Sequence, residues 1–386
     1  GIYDVLVPKS YLEKDQPDPE PSVGAVESAE QVDFELMEKI DLLITAGQLH
    51  VENNGPRFRD DVVVHQLDPY NLEGRQSFIN LHRRSVEELE EMMNDASNGK
   101  RVDGTRLLDM AGSFLRFFFH DTDSVLSVTS EVTQEKSIAL HCSQQAILGM
   151  AIGIEMGLNE QNVKTIGLCG LLHDWGMLRV PTHIREANRA LSFIEFLEVK
   201  KHPQYTLEFL QNVDGVPDLV GLVCFQIHEK PNGTGYPLGR SADTIHLFAK
   251  ILAVADSYLA MISPRPHRPA VMPYAAMECL LRTASQKTLD AEVVRTLLQA
   301  LSLFPVGSYI TLSDNSSARV MRRHSESYMT PVVQVIQDYR GCRLDLTDEK
   351  SIIDLAVSEL SIKESAVTPG REEIGLSPAV MDQPRL

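Results

Sequence analysis

Ligand-type side chains recur at regular intervals along the apolar middle of this 386-residue chain. They are His141, the pair His173 and Asp174, His202, His228 and Asp256, at successive intervals of 32, 29, 26 and 28 residues. Each interval accommodates a helix, a turn and part of a second helix, so one such side chain per helical hairpin can converge inside a bundle. Imidazoles and carboxylates suit first-row divalent metals. The spacing therefore predicts a mainly α fold with a metal centre.

Each of these residues alone is weak evidence for a metal site. A single histidine among apolar residues is more often a hydrogen-bonded core residue, and Asp174 or Asp256 could equally cap the end of a helix. The doublet of His173 and Asp174 is more telling, because a carboxylate in an apolar helix is costly unless it is neutralised. We expect one imidazole to bind one ion and the adjacent carboxylate to bridge two.

Composition excludes several classes of function and suggests a location. The net charge of -18 argues against general binding to nucleic acid or to anionic membranes. The chain has no 18-residue apolar run and no signal-peptide pattern at its start, so we expect a cytoplasmic protein with no membrane segment. Five cysteines without a CxxC pair predict reduced, buried thiols. They are Cys142, Cys169, Cys224, Cys279 and Cys342.

Changes in pattern divide the chain into five segments. We predict a flexible acidic arm over residues 1–33, an N-terminal accessory or regulatory region over 34–130 and a metal-binding helical domain over 131–303. Alternating runs over 304–345 predict a small antiparallel β appendage, and residues 346–386 form a partly loose C-terminal segment. Within the accessory region, Ser85 followed by Glu88 has the pattern of a capping box, which predicts that a helix begins there.

Three motifs carry a resemblance to a known family. The segments HDWGMLRVP (173–181), IHEKPNGTGYP (227–237) and AKILAVADSYLAMISPRPHR (249–268) resemble the signatures of the HD-GYP family, from His141 to Arg268. That family belongs to the HD superfamily of metal-dependent phosphohydrolases and is known for cleaving cyclic di-GMP in bacterial signalling. The resemblance implies an HD-type helical bundle and two divalent metal ions, iron or manganese.

The resemblance also implies roles for individual residues. Asp174 would be the catalytic residue that bridges the two ions, and Arg265 and Arg268 would bind the substrate, since guanidinium groups grip phosphates with two hydrogen bonds. The loop would be shaped by Gly233, Gly235, Tyr236 and Pro237. The implied metal ligands are His141, His173, Asp174, His202, His228 and Asp256.

Departures from the family pattern fall on the site itself. Ile227 stands where the family has a metal-binding histidine, and Met177 replaces a lysine that could contact a phosphate. Water or Gln226 could fill the gap left at the second metal. Ser137 replaces a glutamate that holds a third ion in some members, so we expect two ions at most. Loss of a phosphate-facing cation costs roughly 2–3 kcal/mol of transition-state stabilisation, by analogy with an oxyanion-hole donor.

The leading hypothesis is therefore a slow, metal-dependent phosphodiesterase that hydrolyses cyclic di-GMP to pGpG or GMP. One alternative is a degenerate HD-GYP domain that serves as a cyclic di-GMP sensor or a protein-interaction module. Another is a phosphohydrolase for a different nucleotide. The expected partners are a cyclic dinucleotide and a signalling protein bound through the GYP loop or the N-terminal region, and a homodimer is left open.

Overall fold

The computed structural model describes residues 40, 42–45, 49–62, 72–130, 137–264, 268–324, 327–346, 348–367 and 373–374. The α-helices in this part of the chain are α1 (Leu72–Ser97), α2 (Thr105–His120), α3 (Thr122–Ser127), α4 (Ile138–Glu155), α5 (Glu160–Leu172), α6 (Thr182–Arg185), α7 (Phe193–Val199), α8 (His202–Leu210), α9 (Asp218–Gln226), α10 (Leu247–Ile262), α11 (Pro273–Ser285) and α12 (Ala291–Leu301). The mainly α architecture predicted from the sequence is confirmed.

Helix α4 lies at the centre of the bundle. It is apolar around nearly its whole circumference, as expected for a helix enclosed on all sides. Helices α1, α5, α10 and α12 pack against it. Ser137 begins α4 by accepting a hydrogen bond from the Leu140 N–H at 3.0 Å, and Gly157, with φ of 74°, lies just after its end. Asn159 caps α5 in the same way through the Asn162 N–H.

A single hydrophobic core extends from Phe58 to Leu301 and includes the predicted accessory region. The prediction that a helix begins at Ser85 is wrong, because α1 begins at Leu72 and Ser85 lies buried in its middle. Phe78, His82, Ser85 and Leu89 all lie on the buried face of α1, at helical spacing. The tertiary packing of this continuous face overrides the local capping pattern.

The C-terminal part of the chain forms an antiparallel sheet, as predicted. Its strand order is β7-β6-β5-β4-β8. The strands are β4 (Tyr309–Leu312), β5 (Ser317–Arg322), β6 (Val332–Gln337), β7 (Ile352–Asp354) and β8 (Ile362–Ala366). Strands β7 and β8 come from the segment predicted to be partly loose, so the sheet continues beyond residue 345. Both are short and only partly buried, which leaves little periodic signal in the sequence.

Short strand pairings also occur elsewhere in the described residues. Strand β1 (Val102–Asp103) pairs in parallel with β2 (Val213–Asp214), and this joins the α1–α2 connection to the α8–α9 connection. Strand β3 (Ala270–Val271) pairs in parallel with β9 (Glu373–Ile374). Outside the named strands, Asn232 forms an isolated bridge with Ser241. These contacts tie distant loops to the bundle with a few backbone hydrogen bonds.

A buried ion-pair network joins the sheet to the helices. Arg322 of β5 is only 3% exposed and donates two hydrogen bonds to the Asp121 carboxylate, at 3.1 and 3.2 Å. Arg323 lies 3.3 Å from Asp123 and 3.9 Å from Glu155, at the end of α4. Because buried charges are stable only when paired, these contacts fix the sheet against the N-terminal helices.

The five cysteines differ in their burial. Cys142, Cys169, Cys224 and Cys279 are buried free thiols, as predicted, whereas Cys342 is exposed on the turn after β6.

Among the residues that the structure describes, no helix combines the length and the hydrophobicity needed to cross a membrane.

Candidate metal centre

Five segments of the helical bundle deliver the six predicted ligands to one buried site. His141 lies in the first turn of α4, and His202 is the first residue of α8. His173 and Asp174 directly follow α5, where the helix opens into a 3-10 turn at Trp175–Arg179. His228 follows the end of α9, and Asp256 lies within α10. Helix ends, first turns and one position inside α10 thus bring side chains far apart in sequence to one place.

The ligand atoms form two clusters, in each of which all the atoms lie within 4.8 Å of one another. The first cluster consists of His141, His173 and Asp256, with His141 Nε2 3.3 Å from Asp256 Oδ1. The second consists of Asp174, His202 and His228. In the second cluster His202 Nε2 lies 3.3 Å from Asp174 Oδ1 and 2.9 Å from His228 Nε2. This is the donor arrangement of a pair of neighbouring metal sites.

Asp174 lies between the two clusters. Its Oδ1 lies 3.3 Å from His202 Nε2 in the second cluster and 3.5 Å from His173 Nε2 in the first, and its Oδ2 lies 3.9 Å from His141 Nε2. Burial opposes the ionisation of this carboxyl, but the imidazoles of His173, His202 and His141 outweigh that effect and hold its pKa far below its usual range. Asp174 is therefore an anion whose carboxylate lies close to ligand atoms of both clusters.

Backbone carbonyls fix the orientation of two ligand imidazoles. His173 Nδ1 donates to Gly170 O at 2.8 Å, and His202 Nδ1 donates to Val199 O at 2.7 Å. A carbonyl can only accept, so the proton is on Nδ1 and the Nε2 lone pair points into the site. His173 Nε2 is buried and has no hydrogen-bond partner among the described residues. Lone pairs presented this way fit a divalent cation.

Burial also favours the metal-binding form of two of the ligand imidazoles. Desolvation lowers the pKa of His173 and, more strongly, the pKa of His228. Neutral imidazole is the metal-binding state, because protonation removes the lone pair. The chemistry of the donors and their protonation state therefore agree with divalent metal binding.

Thr206 and Gly176 hold the two clusters together, and the sequence analysis did not identify either. The Thr206 hydroxyl donates to His173 O and accepts from the Gly176 N–H, both at 2.9 Å. A Cβ at Gly176 would lie 2.0 Å from His202 O, so only glycine allows this approach between the HD turn and α8. The glycine in the HDWG segment was the available signal for this contact.

The glycine-rich loop folds back onto the site. A Cβ at Gly235 would lie 2.5 Å from His228 O, and Gly233 has φ of 77°. The Tyr236 ring stacks on the His228 ring, with centroids 4.9 Å apart and planes 11° apart. Pro237 follows a cis peptide bond. The loop thus covers one ligand of the second cluster with an aromatic ring.

Glu229 braces this loop and was also missed by the sequence analysis. Its buried carboxylate accepts hydrogen bonds from the backbone N–H groups of Leu238 and Arg240, each at 2.8 Å. Burial raises the pKa of Glu229. The acidic residue after His228 in the motif was the signal, but its backbone partners lie 9 and 11 residues away.

Comparisons with known proteins agree with this geometry. The family model described as HD domain matches residues 130–293. A cyclic di-GMP phosphodiesterase of Pseudomonas aeruginosa is 30% identical over 265 residues, which make up 68% of this chain and 63% of that protein. Residues 130–293 form an HD domain of the HD-GYP family. HD domains bind divalent metal ions, and the two clusters lie inside the matched segment.

Two further relatives place this HD-GYP domain among similar proteins. A 3'3'-cGAMP-specific phosphodiesterase of Vibrio cholerae is 30% identical over 162 residues, which make up 41% of this chain and 37% of that protein. The solved structure of an HDG"Y"P protein from Bdellovibrio bacteriovorus has a TM-score of 0.50 and 18% identity, covering 60% of this chain and 73% of that one. This last likeness concerns the fold. The chain spans less than two thirds of the length of either curated relative.

The departures of this HD-GYP domain can now be located. Ile227 is 1% exposed and packs into the hydrophobic core, so the second cluster has three protein ligands among the described residues. The expectation that Gln226 could fill the gap is wrong. Its side-chain nitrogen donates to Thr244 O and its oxygen accepts from the His246 N–H, both at 2.8 Å, which commits the amide to holding the start of α10.

Met177 and Ser137 have structural environments that suit their side chains. Met177 is buried in a small apolar cluster with Val180, Ile184 and Val199, away from solvent. Ser137 caps α4 and offers no carboxylate to a third ion. The HD-GYP domain therefore has no cation at the signature lysine position.

Of the two predicted substrate arginines, Arg265 lies outside the described residues. Arg268 donates hydrogen bonds to the carbonyls of Ala260, Met261 and Pro269, so its guanidinium caps the C-terminal end of α10. A contact between Arg268 and a substrate would have to use guanidinium N–H groups that do not bind these three carbonyls.

Proposed function

We propose that this chain is a metal-dependent phosphodiesterase that hydrolyses cyclic di-GMP to pGpG or GMP with slow turnover. Three findings support the proposal: the HD-GYP family membership, the relatives named as cyclic di-GMP phosphodiesterases and the two clusters of metal ligands. The relatives are longer than the matched segments, so the activity of the whole protein remains part of the proposal.

The observation that carries the proposal is the position of Asp174 between the clusters, with its carboxylate 3.3 Å from His202 Nε2 of the second and 3.5 Å from His173 Nε2 of the first. Ions bound there would activate a water and neutralise charge on a phosphodiester. His141, His173 and Asp256 would hold the first ion, and His202 and His228 the second, with Asp174 shared. Nitrogen and oxygen donors without a thiolate suit iron or manganese.

Slow turnover follows from the two departures. A second ion held by three protein ligands binds more weakly than one held by four, because Ile227 contributes no donor. The Met177 side chain adds no charge to a phosphate-binding surface, since it lies in an apolar cluster. Arg265 and Arg268 are proposed to supply part of the missing charge.

Ile227 also supports a second candidate function. If the second ion does not bind, the site would retain a cyclic di-GMP pocket without hydrolysis, and the chain would act as a sensor or as an interaction module for a signalling protein. Hydrolysis of another cyclic dinucleotide is a third candidate, motivated by the Vibrio cholerae relative named 3'3'-cGAMP-specific. We also propose that the chain is cytoplasmic and forms a homodimer.

Metal counting combined with turnover tests these candidates. The chain is loaded anaerobically with iron or manganese, the ions per chain are counted by mass spectrometry, and cyclic di-GMP, 3'3'-cGAMP and cyclic di-AMP are offered. We expect two ions per chain and slow formation of pGpG. His202→Ala should lose one ion and the activity, whereas His183→Ala, which removes an exposed histidine of α6, should change neither.

The outcomes separate the candidates. Tight cyclic di-GMP binding with one ion and no product would favour the sensor. Turnover of a different dinucleotide alone would replace the substrate. A chain that takes up no metal would refute the enzyme proposal.

A further inference from the structure

Lys200 is a cation at the edge of the metal centre that has no acidic partner among the described residues. It follows α7, and its ammonium lies 4.8 Å from the Phe196 ring centroid and 5.4 Å from the Tyr236 ring centroid. Tyr236 in turn stacks on His228 of the second cluster. Lys200 therefore lies one aromatic ring away from a proposed metal ligand.

Three cations near Lys200 have acidic partners, whereas Lys200 has none in the part of the chain that the structure describes. Arg179 pairs with Glu208, Arg189 pairs with Glu195, and Lys201 pairs with Glu198. Among the described residues, no carboxylate lies within 4.0 Å of Lys200. In a chain of net charge -18, a half-buried lysine without an acidic partner beside the site is available for an anionic ligand.

The substrate of the proposed function needs such a cation. A cyclic dinucleotide has two phosphodiesters, and the macrocycle keeps them apart, so a metal pair that engages one cannot neutralise the other. Met177 cannot serve the second phosphate, because it is buried in an apolar cluster. An ammonium is a compact charge that suits a phosphate oxygen, and its stem can remain on the aromatic rings while its head turns to the ligand.

We propose that Lys200 binds the phosphate of the cyclic dinucleotide that is not being cleaved, and so replaces the cation lost at Met177. This inference rests on the proposed function. Lys200 is a specificity-determining residue: it selects substrates with a second phosphate and has no part in the metal centre itself.

The test compares two substrates that differ in that phosphate. Cyclic di-GMP has two phosphodiesters and bis(4-nitrophenyl) phosphate has one. In the metal-loaded chain, Lys200→Met should raise KM for cyclic di-GMP roughly tenfold, as expected for a charge-assisted hydrogen bond, with kcat within about threefold. The kcat/KM for bis(4-nitrophenyl) phosphate and the metal count should stay unchanged.

Two variants serve as controls. Lys201→Met removes the adjacent, Glu198-paired cation and should leave both substrates unaffected. Lys200→Arg keeps the charge and the ring contacts and should retain most of the affinity for cyclic di-GMP. If Lys200→Met does not fold, Lys200→Gln replaces it in the same comparison.

Each alternative result contradicts the assignment in a recognisable way. Equal losses on both substrates, or loss of a metal ion, would mean that Lys200 acts by supporting Tyr236 and the second cluster. No change on either substrate would remove Lys200 from the binding site. A wild-type chain that cleaves bis(4-nitrophenyl) phosphate but neither binds nor cleaves cyclic di-GMP would overturn the proposed function, and the assignment with it.

Discussion

Replacing Thr206 by valine removes the link between the two ligand clusters at nearly constant volume. The Thr206 hydroxyl is fully buried and makes two hydrogen bonds of 2.9 Å, one to His173 O and one from the Gly176 N–H. Each such bond contributes about 1 kcal/mol, and leaving the buried N–H unsatisfied adds a similar amount. We therefore expect Thr206→Val to lower the free energy of unfolding by about 2–3 kcal/mol.

The same change should weaken metal binding. His173 and Asp174 are held in place relative to His202 through this hydroxyl, and loss of a group that supports ligands lowers metal affinity by about tenfold or more. Thermal unfolding of the metal-free chain measures the change in stability, and competition with a chelator of known affinity measures the change in metal affinity. Stability and metal affinity should both decrease in Thr206→Val.

Thr165→Val is the matched control. Among the described residues, the Thr165 hydroxyl bonds only Gln161 O within its own helix, so this substitution should change stability by less than about 0.5 kcal/mol and should leave metal affinity unchanged. If Thr206→Val behaves like Thr165→Val in both measurements, the hydroxyl does not couple the clusters. A loss of stability without loss of metal affinity would limit its role to folding.

Three further predictions concern the ligand gap, the close approach of the HD turn and pH. Ile227→His should tighten the binding of the second ion and increase turnover of cyclic di-GMP, as measured by competition with a chelator and product analysis; weaker metal binding would show that the core does not accept the imidazole. Gly176→Ala should abolish metal binding, because its Cβ would meet His202 O at 2.0 Å, whereas Gly112→Ala, whose nearest neighbour would be 3.8 Å away, should be tolerated. Burial lowers the pKa of His82 to about 4 in the folded chain, whereas in the unfolded chain this histidine takes up a proton as the pH falls below about 6.5. The free energy of unfolding therefore decreases as the pH falls through this range. Between pH 7 and 5, the free energy of unfolding measured in urea should fall by about 2 kcal/mol more for the wild type than for His82→Leu. Equal decreases would show that His82 does not cause this pH dependence.

The metal ligands could be predicted from the sequence because their signal is local. His173 and Asp174 form a doublet at a helix end, and the spacing to His202 and His228 matches one helical hairpin per ligand. A buried carboxylate in an apolar helix also has few explanations other than a cation. The structure brings these side chains together as the spacing indicates.

The supporting residues could not be predicted in this way, because their roles depend on contacts between distant segments. Gln226 was considered as a substitute ligand, but its amide bonds Thr244 and His246, about 20 residues away. Lys200 looks like any surface lysine in the sequence, and only the folded GYP loop brings Tyr236 beneath its ammonium. Ser85 shows the opposite error, since a strong local pattern lost to the packing of a longer helix.

The pairing of Arg322 with Asp121 decides which part of the chain can be studied by itself. A fragment trimmed to the family match at residues 130–293 would lose both partners of this pair, and Glu155 would lose its two cations, Arg59 and Arg323. A longer fragment that kept Asp121 and Asp123 but ended before the sheet would leave two carboxylates enclosed without their guanidinium groups, a cost of several kcal/mol. Activity assays on shortened forms would then report misfolding and not chemistry.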